Sequence, residues 1–234
     1  MRVLIFGASG AIGRAFVQSY EQDHDVIAVS RTVHDDTTSP AQWRRADMLN
    51  SDDMTALAQS IKEQGTVDRI IVASGILHGE GLRPEKALRD LDVAAFERVL
   101  AVNTYAPAMV MKHFLPLLPR DKAGVFAALS ARVGSISDNH LGGWYAYRAS
   151  KAALNMMIKT AAIEVARKHP LAAVVGLHPG TVDSTLSRPF QGHVPEGKLF
   201  HPDHSVAQMR DVIESRTADH TGRCFAYDGT EIAP

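Results

Sequence analysis

Cysteine and long apolar stretches are scarce in this sequence, and its charges nearly cancel. Cys224 is the single cysteine in 234 residues, so neither an intramolecular disulfide nor a cysteine-rich metal site can form. Charges or prolines interrupt each apolar run before the roughly 20 residues that span a bilayer. The first residues also lack the basic, apolar and small-residue regions of a secretory signal. We therefore expect a cytoplasmic protein that does not bind a membrane.

Highly charged partners are also disfavoured. Lysine and arginine number 25 and aspartate and glutamate 26, which gives a formal net charge of −1. Proteins that bind nucleic acids or anionic lipids concentrate basic residues to neutralise phosphates. The compact cluster His201-Pro202-Asp203-His204 lacks the helical spacing of metal-binding histidines. We expect neither nucleic acid nor metal as a ligand, and a single domain over residues 1–234.

Short apolar runs alternate with helical segments along the chain. Strands are predicted at Arg2–Phe6, Asp25–Val29, Trp43–Ala46, Arg69–Ala73, Val125–Leu129, Leu171–Leu177 and Gly222–Tyr227. Helices are predicted after the glycine turn of residues 7–13 as far as Tyr20 and over Ser51–Gln64, Asp92–Leu118, Tyr145–His169 and Asp203–Ser215. Pro107 and Pro116 can bend or shorten the helix at Asp92–Leu118. Apolar strands separated by helices are typical of parallel pairing through right-handed crossovers. The pattern predicts an α/β protein with a Rossmann-type, doubly wound parallel sheet.

Three glycines follow the first strand at spacings typical of a nucleotide-binding turn. In such a turn the glycines allow close approach to a pyrophosphate, and the next helix offers free N–H groups. A nearby serine hydroxyl can add a hydrogen bond. We predict that Gly7, Ser9, Gly10, Ile12 and Gly13 contact a dinucleotide.

The end of the second strand is where such proteins select NAD(H) or NADP(H). A carboxylate there would hold a ribose 2′-hydroxyl, whereas a basic residue would hold a 2′-phosphate. Here Ser30 and Arg31 occupy the position, and Asp35 and Asp36 follow several residues later. A guanidinium matches a phosphate well, so we favour NADP(H), with NAD(H) as the alternative.

Two residues after the weak third strand are predicted to lie near the adenine. The carboxylate of Asp47 could accept a hydrogen bond from the adenine amine, and Met48 follows it. An exposed loop carboxylate is an equally good interpretation of Asp47.

A phenol and an ammonium share one face of a predicted helix. Tyr147 and Lys151 are four residues apart, so their side chains can meet at one site. A neighbouring cation stabilises a phenolate, which would bring the tyrosine pKa down from about 10. The pair therefore indicates proton transfer to or from a substrate oxygen.

With these motifs in place, the sequence resembles the short-chain dehydrogenase/reductase family over essentially its whole length. The family order is present as Gly7-x-x-Gly10-x-x-Gly13, Ser74-Gly75, Asn103, Tyr147 with Lys151, and Pro179-Gly180-Thr181-Val182. The segment from Gly134 to Tyr147, with Asp228-Gly229, is similar to the C-factor-like and sniffer-like branch of small carbonyl reductases.

The resemblance implies an NADP(H)-dependent oxidoreductase acting on a small carbonyl or alcohol. Tyr147 would be the acid/base and, with Ser74 and Gly75, would contact the cofactor, and Lys151 would lower the tyrosine pKa and bind the nicotinamide ribose. Asn103 would support a water leading to Lys151, and residues 179–182 would hold the carboxamide. Relatives commonly form homodimers or homotetramers through the two long helices.

Departures from the family pattern leave three questions open. The catalytic serine is expected where Ala131 stands, so Ser130 is favoured, Ser135 is the rival, and no serine is the third option. The glycine spacing also occurs in nucleotide-sugar enzymes, and a catalytically weakened regulatory protein is a further alternative. Ser74-Gly75 lacks the asparagine that usually precedes the glycine.

Two features near the predicted site have alternative interpretations. Asp183–Pro202 is rich in proline and glycine, and it is either a mobile substrate lid or a plain surface connection. His178 could approach the nicotinamide, but a histidine with its hydrogen bonds satisfied at a strand end is the favoured interpretation.

Overall fold

The computed structural model describes residues 1–32 and 39–234. Its strands are β1 (Arg2–Phe6), β2 (Asp25–Ser30), β3 (Gln42–Arg45), β4 (Arg69–Val72), β5 (Gly124–Leu129), β6 (Ala172–His178), β7 (Thr181–Val182), β8 (Leu199–Phe200), β9 (Cys224–Ala226) and β10 (Glu231–Ile232). Its α-helices are α1 (Ala11–Tyr20), α2 (Ser51–Glu63), α3 (Val93–Leu100), α4 (Ala106–Phe114), α5 (Tyr145–Val165) and α6 (Pro202–Glu214).

Eight strands form the main sheet in the order β10-β9-β6-β5-β4-β1-β2-β3. Strand β10 pairs antiparallel with β9, and the pairs from β9 to β3 are parallel. The chain runs outward from β1 to β3 and then returns to place β4 on the other side of β1. This reversal is the switch point of a doubly wound sheet, and ligands bind there at the carboxyl ends of the strands. The predicted fold class is therefore confirmed.

The centre of the sheet is covered on both faces, so strands β1, β2, β4, β5 and β6 are mostly apolar without alternation. One layer includes α2, α4 and α5, with Phe6 and Phe114 packed edge to face at 5.0 Å between ring centres. The opposite layer contains α1 and α6, where Phe16 and Met209 are fully buried. Each such side chain contributes about 1.5–3 kcal/mol by burial.

The long helix predicted at Asp92–Leu118 is interrupted. Between α3 and α4 lies a π-helical turn, Ala101–Tyr105, in which the amide of Ala106 donates to the carbonyl of Ala101. Pro107 explains the interruption, because it has no N–H for the carbonyl of Asn103 and its ring crowds that group. The turn places Asn103 beside the switch point.

Other differences from the predicted elements are small. Most predicted boundaries move by one or two residues, although α5 ends at Val165 rather than His169. The two-residue strands β7, β8 and β10 were not predicted, because two residues show no periodicity. No helix among residues 1–32 and 39–234 combines the length and apolar character needed to cross a membrane.

Candidate active site

Two positions of the turn after β1, Gly7 and Gly13, have no space for a side chain. Gly7 has φ of +74°, and a Cβ there would lie 2.9 Å from the amide nitrogen of Ser74. A Cβ at Gly13 would lie 2.1 Å from the carbonyl oxygen of Gly7. The Gly10 amide donates to that same carbonyl at 3.1 Å. Gly7 and Gly13 are therefore required by the geometry of the turn itself.

The amino end of α1 is open for an anion. Gly10 begins the helix without a side-chain cap, and Ser9 and Gly10 are exposed. Uncapped N–H groups and the helix dipole favour negative charge at this end. Ile12, in the first turn, reaches the adjoining cavity. A dinucleotide pyrophosphate fits this cradle.

At the end of β2 only one of the two predicted residues faces outward. Ser30 is buried and its hydroxyl donates to the backbone oxygen of Thr32, whereas Arg31 is exposed. Arg45, also exposed, lies opposite Ser30 in the pairing of β2 with β3. Sequence reasoning missed Arg45, whose place beside β2 depends on strand register. Asp35 and Asp36 lie outside the described residues.

Asp47 and Met48 lie in the turn between β3 and α2. The Asp47 carboxylate accepts a hydrogen bond from the Leu49 amide at 2.9 Å, and its own amide donates to Asp53 at 2.9 Å. Met48 packs against the core beside α2. A carboxylate has lone pairs beyond the one used here, so Asp47 keeps acceptor capacity for an adenine amine.

The segment after β4 brings predicted residues together at the switch point. Asn103 accepts from the Ile76 amide at 2.8 Å and donates to the Ile76 carbonyl at 2.9 Å. A Cβ at Gly75 would lie 3.5 Å from Asn103 Oδ1 and 3.6 Å from Lys151 Nζ. The Ser74 hydroxyl is buried without a hydrogen-bond partner. Asn103 thus holds the backbone of this turn against the lysine.

Tyr147 and Lys151 lie in the first two turns of α5. The Lys151 ammonium is 5.9 Å from the centre of the Tyr147 ring and donates to the carbonyl of Leu129 at 2.7 Å. Burial lowers the pKa of Lys151 to about 8, with nearby Cys224 as a smaller opposing influence. Burial raises the pKa of Tyr147 to about 12. The expected lowering of the phenol pKa is therefore wrong for this structure, because desolvation dominates.

The two candidate serines are hydrogen-bonded to other groups. Ser130 donates to Asn155 Oδ1 at 2.6 Å. The Ser135 hydroxyl accepts from the Asp138 amide at 3.1 Å and donates to the Pro234 carbonyl at 3.3 Å. Within residues 1–32 and 39–234, no hydrogen bond joins either serine to Tyr147. Ala131 stands between them on the cavity wall.

The predicted carboxamide segment follows β6 and begins the covering loop. Thr181 and Val182 form β7, which pairs with Leu199 and Phe200 of β8. Gly180 has φ of +74°, and a Cβ there would lie 2.7 Å from the Phe200 ring. The pairing of β7 with β8 thus holds together the two ends of the loop that was predicted to be either a lid or a surface connection. Between the strands it contains a 3-10 helix, Arg188–His193.

These segments enclose a cavity of about 260 Å³ beside Tyr147. The loop contributes Ser184, Leu186, Ser187, Phe190 and Val194 to the wall, and α5 contributes Tyr147. The remaining wall residues come from α1, from the segment before α5 and from the segments that follow the strands: Ile12, Leu77, Ser130, Ala131, Arg132, Val133, Trp144, His178, Pro179, Gly180, Thr181 and Val182. Such a mostly apolar cavity with few polar groups is typical of a small-molecule site.

Aromatic residues that the sequence reasoning missed form one side of this cavity. Trp144 has a left-handed backbone, φ of +52°, which is rare for a bulky residue. Its amide donates to the Glu85 carbonyl at 2.6 Å, and the buried Glu85 carboxylate accepts from the Ala146 amide at 3.3 Å. The Trp144 ring is edge to face with Phe190 at 5.0 Å and with Tyr147 at 6.1 Å. The Gly142-Gly143 pair before Trp144 was the available sequence signal.

His178, on the same wall, does not have its hydrogen bonds satisfied. Its Nδ1 is buried without a hydrogen-bond partner. Burial, assisted by the positive charge of Arg132, lowers the His178 pKa to about 4, while Asp228 opposes that shift. The hydrogen bond expected at Nδ1 of a satisfied strand-end histidine is therefore absent from the described residues.

A doubly wound sheet with a glycine turn at its first strand and a tyrosine–lysine pair at its switch point defines a class, the nucleotide-dependent oxidoreductases. A family model described as short chain dehydrogenase matches residues 1–193 of the chain. The chain therefore belongs to the short-chain dehydrogenase family, whose members are NAD(P)-dependent oxidoreductases.

Individual relatives agree with this assignment. The C-signal of Myxococcus xanthus is 37% identical over 146 residues, which cover 62% of this chain and 82% of that protein. The structure of the carbonyl reductase Sniffer of D. melanogaster matches with a TM-score of 0.85 at 22% identity, covering 100% of this chain and 99% of the other. An NADPH-bound carbonyl reductase from chicken fatty liver matches with a TM-score of 0.83 at 22% identity, covering 100% and 94%. The resemblance to C-factor-like and sniffer-like proteins is confirmed.

Proposed function

We propose that this protein is an NADPH-dependent oxidoreductase that reduces a small apolar carbonyl compound to an alcohol. The observation that carries the proposal is the position of Tyr147. This residue lines the apolar cavity, and the centre of its ring is 5.9 Å from the buried ammonium of Lys151. The whole of residues 1–234 acts as one domain in this proposal.

The chain has a place for each part of NADPH. The glycine turn and the amino end of α1 hold the pyrophosphate, Lys151 the nicotinamide ribose, and residues 179–182 the carboxamide. NADPH, when bound, supplies the hydride. Arg31 is exposed where a 2′-phosphate is expected, which supports NADP(H) over NAD(H). Arg45, beside it, is a second cation for the same phosphate.

Tyr147 supplies the proton. With a pKa of about 12, its hydroxyl is protonated at neutral pH and can donate to a carbonyl oxygen as charge develops there. Lys151, with a pKa of about 8, is mostly charged at pH 7. Its ammonium stabilises the phenolate that remains after proton transfer.

The cavity wall favours aromatic or branched apolar carbonyl compounds. Trp144 and Phe190 present ring edges and faces beside Tyr147, and Leu77, Leu186 and Val194 are aliphatic. The test is a screen of aliphatic and aryl aldehydes, ketones and diketones with NADPH, followed by absorbance. Aryl ketones should be reduced with higher kcat/KM than short polar aldehydes of equal reactivity. No turnover of any carbonyl, with NADPH still bound, would contradict the proposal.

A second function, nucleotide-dependent regulation without turnover, is favoured by one observation. Position 131 holds alanine, and the neighbouring serine hydroxyls bond elsewhere. In that case the protein would bind NADP(H) and remain inactive in the screen, and Ala131→Ser would not restore turnover.

We also propose a homodimer or homotetramer in the cytoplasm, assembled through α4 and α5. A groove between these helices contains Met109, Leu115 and Met157, and Met157 is 40% exposed. Exposed apolar patches of this kind mark contact sites in many proteins. Light scattering at micromolar concentration should give at least twice the mass of the chain, and a monomer would refute the assembly.

A further inference from the structure

The cavity lacks a serine hydroxyl at the point where the resemblance expects one. Ala131 lines the wall, while Ser130 donates to Asn155 at 2.6 Å and Ser135 serves a turn closed by Asp138 and Pro234. A hydrogen-bond donor aimed at the substrate oxygen is worth about 10²–10³-fold in rate in acyl-transfer sites. Tyr147 alone would supply one bond to an oxygen with two lone pairs.

His178 lies next to the empty position. Strands β5 and β6 are paired with Leu129 opposite Leu177, so His178 follows directly beside Ser130. Residues two apart in a strand share a face. A Cβ at Gly176 would lie 3.4 Å from Ile158 of α5, so His178 is on the face of the sheet that α5 covers. Tyr147 is also in α5.

The imidazole has hydrogen-bonding capacity that the protein does not use. Its Nδ1 is buried, closed off from the cavity and without a partner, and its Nε2 makes no hydrogen bond within residues 1–32 and 39–234. The residue lines the same cavity as Tyr147 and Ala131, so Nε2 is the ring nitrogen available to a ligand there. Buried polar groups are nearly always hydrogen-bonded, and leaving one unpaired destabilises the folded state. The charged groups that act on the ring, Arg132 and Asp228, have opposite signs. At neutral pH the ring is uncharged and carries one N–H donor.

We propose that the Nε2–H of His178 donates a hydrogen bond to the carbonyl oxygen of the substrate, in place of the missing serine hydroxyl. The inference rests on the proposed reductase function and adds a catalytic residue to it. In reduction, hydride from NADPH forms a C–H bond at the carbonyl carbon. The C=O π pair moves to oxygen, which takes the proton of Tyr147 and leaves NADP⁺ and an alcohol. His178 keeps its proton and stabilises the developing negative charge on the oxygen.

The decisive variant is His178→Leu, with His178→Gln as a matched variant that retains an N–H donor. We expect His178→Leu to lower kcat about 10²–10³-fold, with NADPH affinity unchanged, and His178→Gln to lose much less. Removal of a buried, unpaired polar group should leave the melting temperature unchanged or higher. Kinetics with an aryl ketone, NADPH fluorescence titration and thermal unfolding measure the three quantities.

A rescue experiment tests the geometry. Ala131→Ser, introduced into His178→Leu, should raise kcat at least tenfold above that of His178→Leu alone, because the serine hydroxyl and the histidine N–H would reach the same substrate oxygen. The proposal is overturned if His178→Leu keeps kcat within about twofold, or if Ser130→Ala alone produces the larger loss. If neither His178→Leu nor His178→Gln folds, the histidine is structural and the proposal is overturned. If only His178→Gln folds, its kcat is the test, and a loss of about 10²-fold in kcat in that variant overturns the assignment of His178 as a donor.

A binding measurement separates this inference from the reductase proposal. With protein labelled with nitrogen-15 and loaded with NADP⁺, addition of acetophenone should shift the His178 imidazole resonances, and the shift should be absent with ethylbenzene, which lacks the oxygen. If the wild-type protein turns over no carbonyl but the resonances shift, the reductase proposal fails and the histidine contact stands. If turnover occurs without a shift, the histidine contact is wrong.

Discussion

The pyrophosphate part of the proposed cofactor end is made by backbone from residues 7–13, whereas the proposed chemical end is made by side chains from distant segments. At the cofactor end, Gly7 and Gly13 touch backbone atoms of their own turn and of the strand beside it. At the chemical end, Tyr147 comes from α5, Ala131 follows β5 and His178 ends β6. The first arrangement depends on small residues at fixed spacing. The second depends on strand register and helix packing, which bring together residues that are far apart in the chain.

The largest effect should follow removal of the proton donor. Tyr147→Phe deletes one hydroxyl and little shape, so kcat for carbonyl reduction should fall by about 10²–10⁴-fold. NADPH affinity should be nearly unchanged, because the ring stays in place and the proposed cofactor contacts of Lys151, residues 7–13 and residues 179–182 are kept. Stopped-flow reduction and fluorescence titration measure the two effects. Full activity in this variant would remove Tyr147 from the mechanism.

The glycine turn offers a matched pair that separates folding from binding. Gly13→Ala would place a Cβ 2.1 Å from the Gly7 carbonyl, so we expect a loss of about 3 kcal/mol in the free energy of unfolding. Gly10→Ala would meet that same carbonyl at 3.4 Å, an ordinary contact. It should fold normally and lose NADPH affinity, since the methyl group occupies the approach of the pyrophosphate. Urea denaturation measures the free energy of unfolding of each variant, and NADPH titration measures its affinity for the cofactor. If the two variants were equally stable, the turn would have to relax around the Cβ of Gly13→Ala.

The exposed arginine tests whether charge or shape selects the cofactor. Arg31→Ala should weaken NADPH binding by about 1.5–3 kcal/mol, the range for hydrogen bonds to charged groups, and leave NADH binding unchanged. Arg45→Ala should have a smaller effect of the same sign. Calorimetric titration with the two cofactors measures the difference, and equal losses for both would make Arg31 structural.

Burial of the Lys151 ammonium should lower the free energy of unfolding of the protein. Burial lowers the folded pKa of Lys151 from 10.5 to about 8, so between these values the unfolded chain binds more protons and stability rises with pH. Below pH 8 the full cost is present. Lys151→Met should therefore gain about 1–3 kcal/mol at pH 7, after the lost bond to Leu129 is counted, while reduction is abolished.

Denaturation of this variant and the wild type at pH 7 and pH 10 supplies the check. The gain should shrink at the higher pH, where the wild-type ammonium is largely neutral in the folded state. A destabilised Lys151→Met protein at pH 7 would mean that the hydrogen bond to Leu129 outweighs the cost of burying the charge.

Much of the fold and of the cofactor end could be predicted because their signals are local. The doubly wound sheet follows from apolar strands alternating with helices, and the open end of α1 follows from Gly7, Gly10 and Gly13. Even the interrupted helix has a local cause in Pro107, since a proline removes the hydrogen bond to the carbonyl four residues earlier. The register that brings Arg45 beside Ser30 has no such signal.

The sequence by itself determined the parallel sheet, the nucleotide turn and the spacing of Tyr147 and Lys151, because each depends on neighbours within a few residues. Only the tertiary structure decided what surrounds the phenol. Burial raised the pKa of Tyr147 that a nearby cation was expected to lower, and Asn155 accepted a hydrogen bond from the hydroxyl of Ser130. Among the described residues, no group pairs with the buried Nδ1 of His178. Desolvation and hydrogen-bond pairing are properties of the packed interior, and residues far apart in the chain create them together.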